Sequence, residues 1–475
     1  LRSKGSDWDE PFRDEAVDFL FIRRLAMVLF ERLLKKLDVR AISTNPPLLL
    51  SMLLFVLILV GTVLLKLPIA ARGHLSWIDA LFFSTSASTV TGLTPFEPSE
   101  TFTLFGQVVL MVLIQIGGIG VMAFAVFFVI LLGKKVSIRQ RQLMQEALNA
   151  PSLGGVIRLV SWILIVSFAI ELVGMFFLAF RFVPDFGWGM GLYYSLFHSI
   201  SGFNQAGFSL FPGSMNRYLG DPIVNLTMIT MITIGGIGFT VLAELLSTHR
   251  FRKLSIHAQV MLSGTLVINV VMVLAIFVIE YGNPHSLGPL SFVDKLWAAF
   301  FQGISPRTAG ITTLDPAGLS QASLLLTMLM MFIGAGSTST SGGIKLTTFM
   351  IVLAQMLTFL KGRREVVINK RTIRHQVIIR AVSVISISLI VVLIGLFLLC
   401  LSEDQPFLVI LFEVISAFGT AGESIGATAD LSPFGKAVIM LLMFFGKVGP
   451  LTMAFSVTKR SHVDIRYPDG EIYTG

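Results

Sequence analysis

The chain has 475 residues, 54% of them hydrophobic and 13% charged, with mean hydropathy +0.82. Soluble domains carry roughly 25% charged residues, so this chain has too little polar surface to dissolve and belongs in a bilayer. The formal charge of +8 and pI near 9.6 would suggest nucleic acid in a soluble protein, but the basic residues gather in loops flanking apolar spans, which argues for orientation instead. The single cysteine, Cys400 in the run VVLIGLFLLC, excludes an internal disulfide and a multi-cysteine metal site.

In chain order, residues 1–46 carry nine Lys or Arg without an apolar core and small-residue cleavage site, which predicts a retained cytoplasmic segment. Within it Leu20, Phe21, Leu25, Val28, Leu29 and Leu33 share one helical face and Arg23, Arg24, Arg32, Lys35 and Lys36 supply charge around it. That pattern predicts an interfacial helix, either a membrane-surface anchor or a contact for a cytoplasmic partner.

Eight apolar stretches long enough for a hydrocarbon core of roughly 30 Å follow. They lie at 47–66, 103–133, 157–180, 222–247, 257–281, 320–360, 376–401 and 434–457. Between the members of each pair sits a segment too short to cross, at 77–88, 189–203, 291–304 and 406–418, ending in small polar residues and glycine. These read as re-entrant. Of the 36 Lys and Arg, 26 lie in 1–46, 134–158, 248–256, 361–375 and after 457, so both termini and these loops are expected in the cytoplasm, with the short segments entering from outside.

The short segments end in TVTGLT (89–94), NQAGFS (204–209), RTAGIT (307–312) and GTAGES (419–424), placing Gly92, Gly207, Gly310 and Gly422 in register. A second glycine mark follows each by 24 to 28 residues, at Gly117, Gly235, Gly334 and Gly446. The chain thus reads as an all-α membrane protein of four span–short helix–loop–span (M1-P-M2) repeats, at 47–133, 157–247, 257–360 and 376–457, with a tail at 458–475. Irregular backbone at membrane depth is tolerated only where it is buried or lines a wet cavity, so four such loops imply a shared one. A short helix directs its partly negative C-terminus at that cavity, and a Thr/Ala/Gly stretch can turn carbonyls inward to replace a cation's water. The candidate filter is therefore Thr89, Val90, Thr91 and Gly92; Asn204, Gln205, Ala206 and Gly207; Arg307, Thr308, Ala309 and Gly310; and Gly419, Thr420, Ala421 and Gly422, binding a weakly hydrated monovalent cation through backbone carbonyls. The GGIG runs at 117–120 and 235–238 fit close packing as well as gating.

These residues resemble the Trk/Ktr/HKT superfamily of potassium transporters, and within it the KtrB-type membrane subunit, over nearly the whole chain from Pro46 to Gly475. The resemblance implies eight spans around a pseudo-fourfold pore in a bacterial plasma membrane, potassium as substrate, sodium as a transported or coupling ion left open, and a homodimer to which the tail RYPDGEIYTG (466–475) contributes. It also implies a cytoplasmic KtrA-type nucleotide-binding ring as partner. With neither a GxGxxG after a strand nor a P-loop in this chain, any nucleotide belongs on that partner, and the chain itself carries no cofactor. Gly92, where sodium-permeating relatives carry serine, favours potassium.

The family further implies a gating loop that breaks the second span of the third unit, and GAGSTSTSGGIK at 334–345 supplies one. Its Gly334, Gly336, Ser337, Thr338, Gly342 and Gly343 cannot sustain a helix, and Lys345 either binds carbonyls of the gate or reaches toward the cytoplasmic face. Lys447 stands where the other units have Gly118, Gly236 and Ala335, and is read as a positive charge in the cavity or as a lysine paired with a carboxylate. Arg307 is expected to bind carbonyls behind the filter or to pair with Glu413. Glu423, where the other units carry Leu93, Phe208 and Ile311, either concentrates cations at the mouth or is solvated. A membrane enzyme would need clustered His, Asp or Glu at depth; His198 stands alone, and Glu171, Glu244 and Glu280 stand singly, read as near span ends. A scaffold or receptor would not need four glycine loops in register. Within transport, a sodium-selective relative is the alternative.

Overall fold

In the computed structural model the described residues are 46–121, 123, 124, 156–248 and 250–449. The N-terminal segment before residue 46, the loop at 125–155 with the end of the second span, and everything from 450, including the tail and its expected dimer contact, lie outside them.

The four units follow one another along the chain. Unit one comprises α1 (Pro46–Lys66), the short α2 (Trp77–Thr89) and α3 (Leu104–Ile119). Unit two begins with α4 (Val156–Asn204), a single helical run holding both the span and the short helix, with Pro184 inside and a non-helical Gly187 where its limbs meet. Proline removes a backbone donor and clashes with the preceding turn, and glycine accepts the positive φ of 79° at the joint. It continues with α5 (Pro222–Ile237) and α6 (Phe239–Ser247). These last two differ from the uninterrupted span expected at 222–247, because the chain turns by 97° at Gly238.

Unit three comprises α7 (Ile256–Glu280), the short α8 (Phe292–Gln302), α9 (Gln321–Phe332) and α10 (Leu346–Leu360). Unit four has α11 (His375–Ser402), the short α12 (Phe407–Gly419) and α13 (Pro433–Val448). Between α10 and α11 the basic loop forms a hairpin that the polarity of the segment did not announce: β1 (Val367–Ile368) pairs antiparallel with β2 (Arg371–Thr372) in the register Val367 to Thr372. Asn369 and Lys370 turn it with φ of 48° and 64°.

Helix starts are written locally. Ser76, Thr103, Ser255, Ser291, Ser320 and Ser432 each accept an N–H of the following turn through the side-chain oxygen, as does Asp221. The same caps tie the two spans of a unit together. Ser320 and Ser432 bond the carboxylates of Glu280 and Glu403 at the ends of α7 and α11, and Asp221 meets Arg181 at 2.7 Å.

Lipid is as apolar as leucine, so packing rather than transfer from water must hold the spans together. The large buried side chains lie accordingly between units. Leu65, Phe83, Phe102 and Leu113 pack with Phe197 and Phe208 across units one and two, and Phe182, Phe211 and Met228 with Phe301 and Ile311 across two and three. Leu324 and Met331 meet Phe412 and Ala421 across three and four, and Phe82 and Leu93 meet Phe418 and Ile439 across four and one. The last junction also holds an ion pair, Lys436 Nζ to Asp79 Oδ1 at 2.8 Å, with both side chains nearly buried.

Stranding one member of such a pair costs about 3–5 kcal/mol, whereas removing both can be close to neutral. Thermal unfolding in detergent should therefore find Lys436→Met well below wild type and the Asp79→Asn/Lys436→Met double variant above the single one; equal Tm values for the two would show that the pair does not close the ring.

Candidate functional site

Each short helix ends in a loop whose backbone is satisfied in one repeated way. The Ser86 carbonyl accepts the Thr91 N–H at 2.8 Å, Ser201 that of Ala206 at 2.8 Å, and Ser416 that of Ala421 at 2.9 Å. The hydroxyls of Ser86 and Ser416 accept the N–H of Gly92 and Gly422 at 3.0 and 3.1 Å, while Ser201 Oγ donates to the Phe208 carbonyl at 2.7 Å. In unit three Ser305 does this work one residue closer to its glycine, accepting Ala309 N–H at 2.9 Å and donating to the Ile311 carbonyl. The sequence reading did not single these serines out. Their signal was there: a serine stands six residues before the glycine in three units and five before it in the third.

These bonds hold Val90, Gln205 and Thr420 in left-handed conformation at φ of 59°, 59° and 50°. For residues with a Cβ that costs of order 1–3 kcal/mol each and persists only where the surroundings impose it. Unit three departs again, turning through a 3₁₀ element at Ser305–Arg307 with Thr308 at negative φ.

The four glycines then meet. All have positive φ, 97° at Gly92, 76° at Gly207, 61° at Gly310 and 88° at Gly422. A β-carbon at Gly92 would fall 2.6 Å from the Ala206 oxygen, and one at Gly207 3.0 Å from the Ala309 oxygen. One at Gly310 would overlap the Ala421 oxygen, and one at Gly422 would overlap the Thr91 oxygen. The contacts run from unit one to two, two to three, three to four and four back to one. They form a closed ring of backbone, in which each glycine lies beside the carbonyl that precedes its neighbour's glycine.

The second glycine marks let the inner spans approach this ring. A β-carbon at Gly117 would fall 2.8 Å from the carbonyl carbon of Ser88, one at Gly235 3.1 Å from that of Phe203, and one at Gly446 3.0 Å from that of Phe418, each four residues before a ring glycine. Gly118 and Gly236 make room for the side chains of Asn204 and Gln205. Gly117, Gly118, Gly235 and Gly236 thus permit close packing, while Gly238 lies against the Ser337 carbonyl. Gly334 faces the Gly342 carbonyl instead.

Residues 334–345 form a loop between α9 and α10 that crosses the ring on the side of the inner helix ends. Gly336 N–H donates to Gly236 O at 2.8 Å in unit two, while Gly343 N–H donates to Gly446 O at 3.0 Å and Gly342 N–H to Thr420 Oγ1 at 2.9 Å in unit four. Units two and four are opposite members of the ring, so the loop bridges it. Thr338, at φ 60°, accepts Phe239 N–H at 3.1 Å, which seats the 97° bend at Gly238 against the loop; Ser337 lies against Gly238 as well. Both lysines bond loop carbonyls, Lys345 Nζ to Ser341 O and Lys447 Nζ to Thr340 O, each at 2.6 Å.

Several expected pairings are not the ones formed. Lys447 has no carboxylate partner among the described residues and takes the Thr340 carbonyl, because the crossing loop presents free carbonyls where the other inner helices present none. Arg307 donates to Asn269 Oδ1 at 3.3 Å rather than to Glu413, whose carboxylate is taken by the hydroxyls of Ser424 and Thr428. Glu423 is not solvated: it is buried, with Gln302 Nε2 at 3.3 Å from both its oxygens. Glu171 is not near a span end but midway along the first limb of α4, fully buried. His198 is structural, its ring nitrogens meeting Tyr194 O and Ser209 Oγ at 2.8 and 3.1 Å.

Beyond the ring, toward the second spans, opens a cavity of about 380 Å³ lined by the four glycines together with Glu97, Asp315 and Glu423. Carbonyl oxygens, helix C-termini and carboxylates of one sign make this arrangement attractive to a cation and hostile to an anion.

The chain matches a family model described as TrkH, cation transport protein, over residues 45–463. It is 49% identical to the Ktr system potassium uptake protein B of Bacillus subtilis, covering 92% of this chain and 98% of that protein. It is 38% identical to the potassium/sodium uptake protein NtpJ of Enterococcus hirae, covering 89% and 95% respectively. The crystal structure of the potassium transporter TrkH from Vibrio parahaemolyticus superposes with a TM-score of 0.68 over 87% of this chain and 84% of that one at 20% identity, a likeness of fold.

Because a β-carbon at Gly310 would meet a backbone oxygen and face a disfavoured φ, Gly310→Ala should abolish cation flux through the ring at unchanged membrane abundance. Flux at the wild-type rate, measured as rubidium uptake, would mean that the ring is not the path.

Proposed function

Because the chain belongs to the TrkH cation transport protein family, we propose that it takes up potassium across the bacterial plasma membrane through the ring at Gly92, Gly207, Gly310 and Gly422. The observation that carries this reading is the closure of that ring. Four loops, each satisfied by a serine of its own unit, bring the carbonyls of Thr91, Ala206, Ala309 and Ala421 beside one another's glycines. Carbonyls without a ring of carboxylates at the same level suit a weakly hydrated monovalent cation, since they replace water without binding too tightly for release. The sixteen candidate residues, from Thr89 to Gly92, Asn204 to Gly207, Arg307 to Gly310 and Gly419 to Gly422, form the selectivity filter in this reading, and the acidic cavity beyond them is its outer mouth.

The loop at 334–345 is the gate. It lies across the path the ion would follow on leaving the ring, and its contacts are single hydrogen bonds that can be exchanged for water or for other backbone positions. Lys345 and Lys447 add two positive charges there, each held by a loop carbonyl. Opening moves the loop and withdraws that charge from the path. Relatives named as parts of a Ktr system support a multi-component assembly, and in this reading a cytoplasmic nucleotide-binding ring of the KtrA type drives the gate from the basic loops, with the chain itself a homodimer and its termini cytoplasmic. The name of the Enterococcus hirae relative supports sodium as a second ion, transported or coupling.

Two measurements test this. In cells lacking other potassium uptake, the chain should support potassium accumulation at low external potassium, more with a nucleotide-binding ring subunit than without; sodium uptake alone would make it a sodium transporter, and no flux under any pairing would overturn the reading. Lys447→Gln removes the charge and keeps an amide for the Thr340 carbonyl, so potassium flux without the ring subunit should rise. Unchanged flux would exclude Lys447 from the gate.

A further inference from the structure

We propose that Glu171 is a positioning residue for the second filter loop and that, by fixing Asn204 through hydrogen bonds, it sets how well the ring discriminates potassium from sodium. This rests on the reading of the four loops as a filter. Glu171 is buried midway through a span, and among the described residues no cation pairs with it. A carboxylate there is costly unless other groups satisfy it. It is satisfied by two amides from two different units. Gln115 Nε2, on the inner span of unit one, donates to both carboxylate oxygens at 2.9 and 2.8 Å, and Asn204 Nδ2 donates to Oε1 at 3.0 Å. Asn204 Nδ2 also lies 2.8 Å from Gln115 Oε1, closing a triangle, and Ser199 Oγ donates to the Glu171 carbonyl at 2.5 Å.

Asn204 is the last helical residue before the loop, and its neighbour Gln205 takes the left-handed φ of 59° that directs Ala206 and Gly207 into the ring. Its side chain is wedged against Gly118, where a β-carbon would fall 2.7 Å from Asn204 Cβ. Asn204 Oδ1 has no hydrogen-bond partner among the described residues in this buried position. The side chain is therefore oriented by what its Nδ2 finds, which is Glu171 and Gln115 together with the Ile200 carbonyl one turn back at 3.0 Å, and not by its own oxygen. In the other units the corresponding residue bonds no carboxylate among the described residues: Thr89 Oγ1 returns to the Thr85 carbonyl at 2.7 Å, as Asn204 does to Ile200, Arg307 reaches Asn269, and unit four has Gly419. Unit two alone among them ties the residue at this position to a buried carboxylate. Discrimination in a carbonyl filter depends on the spacing and stiffness of its oxygens, and the Ala206 oxygen is among those the triangle holds against Gly92.

The role is one of hydrogen bonding, so charge and bonds are separable by substitution. Glu171→Gln removes the charge and keeps an acceptor oxygen for Gln115 and Asn204. Glu171→Leu removes the carboxylate acceptors, strands the Gln115 amide N–H and leaves Asn204 to Gln115 Oε1 and the Ile200 carbonyl. Gln115→Met removes the donor from unit one with little change of volume. The experiment is potassium and sodium uptake by each variant in cells lacking other potassium transporters, with membrane abundance measured alongside. Loss of a buried hydrogen bond on this scale should lower the potassium-to-sodium uptake ratio about tenfold in Glu171→Leu and Gln115→Met, while Glu171→Gln discriminates as wild type does. A wild-type ratio in both Glu171→Leu and Gln115→Met at normal abundance overturns the proposal. So does a Glu171→Gln ratio as low as that of Glu171→Leu, which would assign the effect to charge. If Glu171→Leu fails to reach the membrane, the ratio in Gln115→Met decides alone. Absence of flux in wild type and variants alike would overturn the filter reading itself, and this assignment with it.

Discussion

Everything in this molecule depends on keeping irregular backbone satisfied at membrane depth. A helix closes its own hydrogen bonds, but the four ring loops and the crossing loop cannot, and lipid offers them no water. The solution is local and repeated: a serine in the last turn of the short helix in units one, two and four, and just past the short helix in unit three, lends its carbonyl to one loop N–H and its hydroxyl to a second loop group. With the backbone held this way, side chains in left-handed conformation become tolerable at Val90, Gln205 and Thr420, and the glycines can stand close enough for their loops to touch. Small residues on the inner spans are the necessary counterpart, since Gly117, Gly235 and Gly446 bring a helix backbone against the last turn of a short helix.

The pseudo-fourfold plan is broken in the inner spans of units two and three. In unit three the inner span is opened into a loop whose donors are spent on opposite members of the ring, Gly236 on one side and Gly446 with Thr420 on the other. In unit two the inner helix turns at Gly238, and the turn is filled by Thr338 of the same loop. A packed helix could not exchange these contacts without losing its own ladder, whereas a loop held by isolated bonds can. The two lysines follow from this, because the crossing loop offers a carbonyl to each ammonium.

Charge is distributed with the same economy. Carboxylates line the cavity on one side of the ring and lysines sit on the other, while the ring itself is backbone. The deeply buried acids Glu171 and Glu413 are spent on amides and hydroxyls that shape the loops, and Asp79 with Lys436 closes the junction between the last unit and the first.

The sequence by itself determined the spans, the four repeats and the loop glycines. Hydropathy over some twenty residues and the need for positive φ at one residue are properties of a short stretch of chain, as are the serine caps that begin the helices. The bend at Gly238 and the hairpin at Asn369 and Lys370 were less legible, since a glycine in an apolar run or a polar pair in a basic loop fits several conformations. Only the tertiary structure decided which loops touch, that Arg307 meets Asn269 and leaves Glu413 to Ser424 and Thr428, and that Gln115, Glu171 and Asn204 converge from two units. The physical reason is that a buried polar side chain takes whichever partner the packing brings within about 3 Å, and that partner is fixed by how the units close on one another, which no stretch of the chain encodes alone.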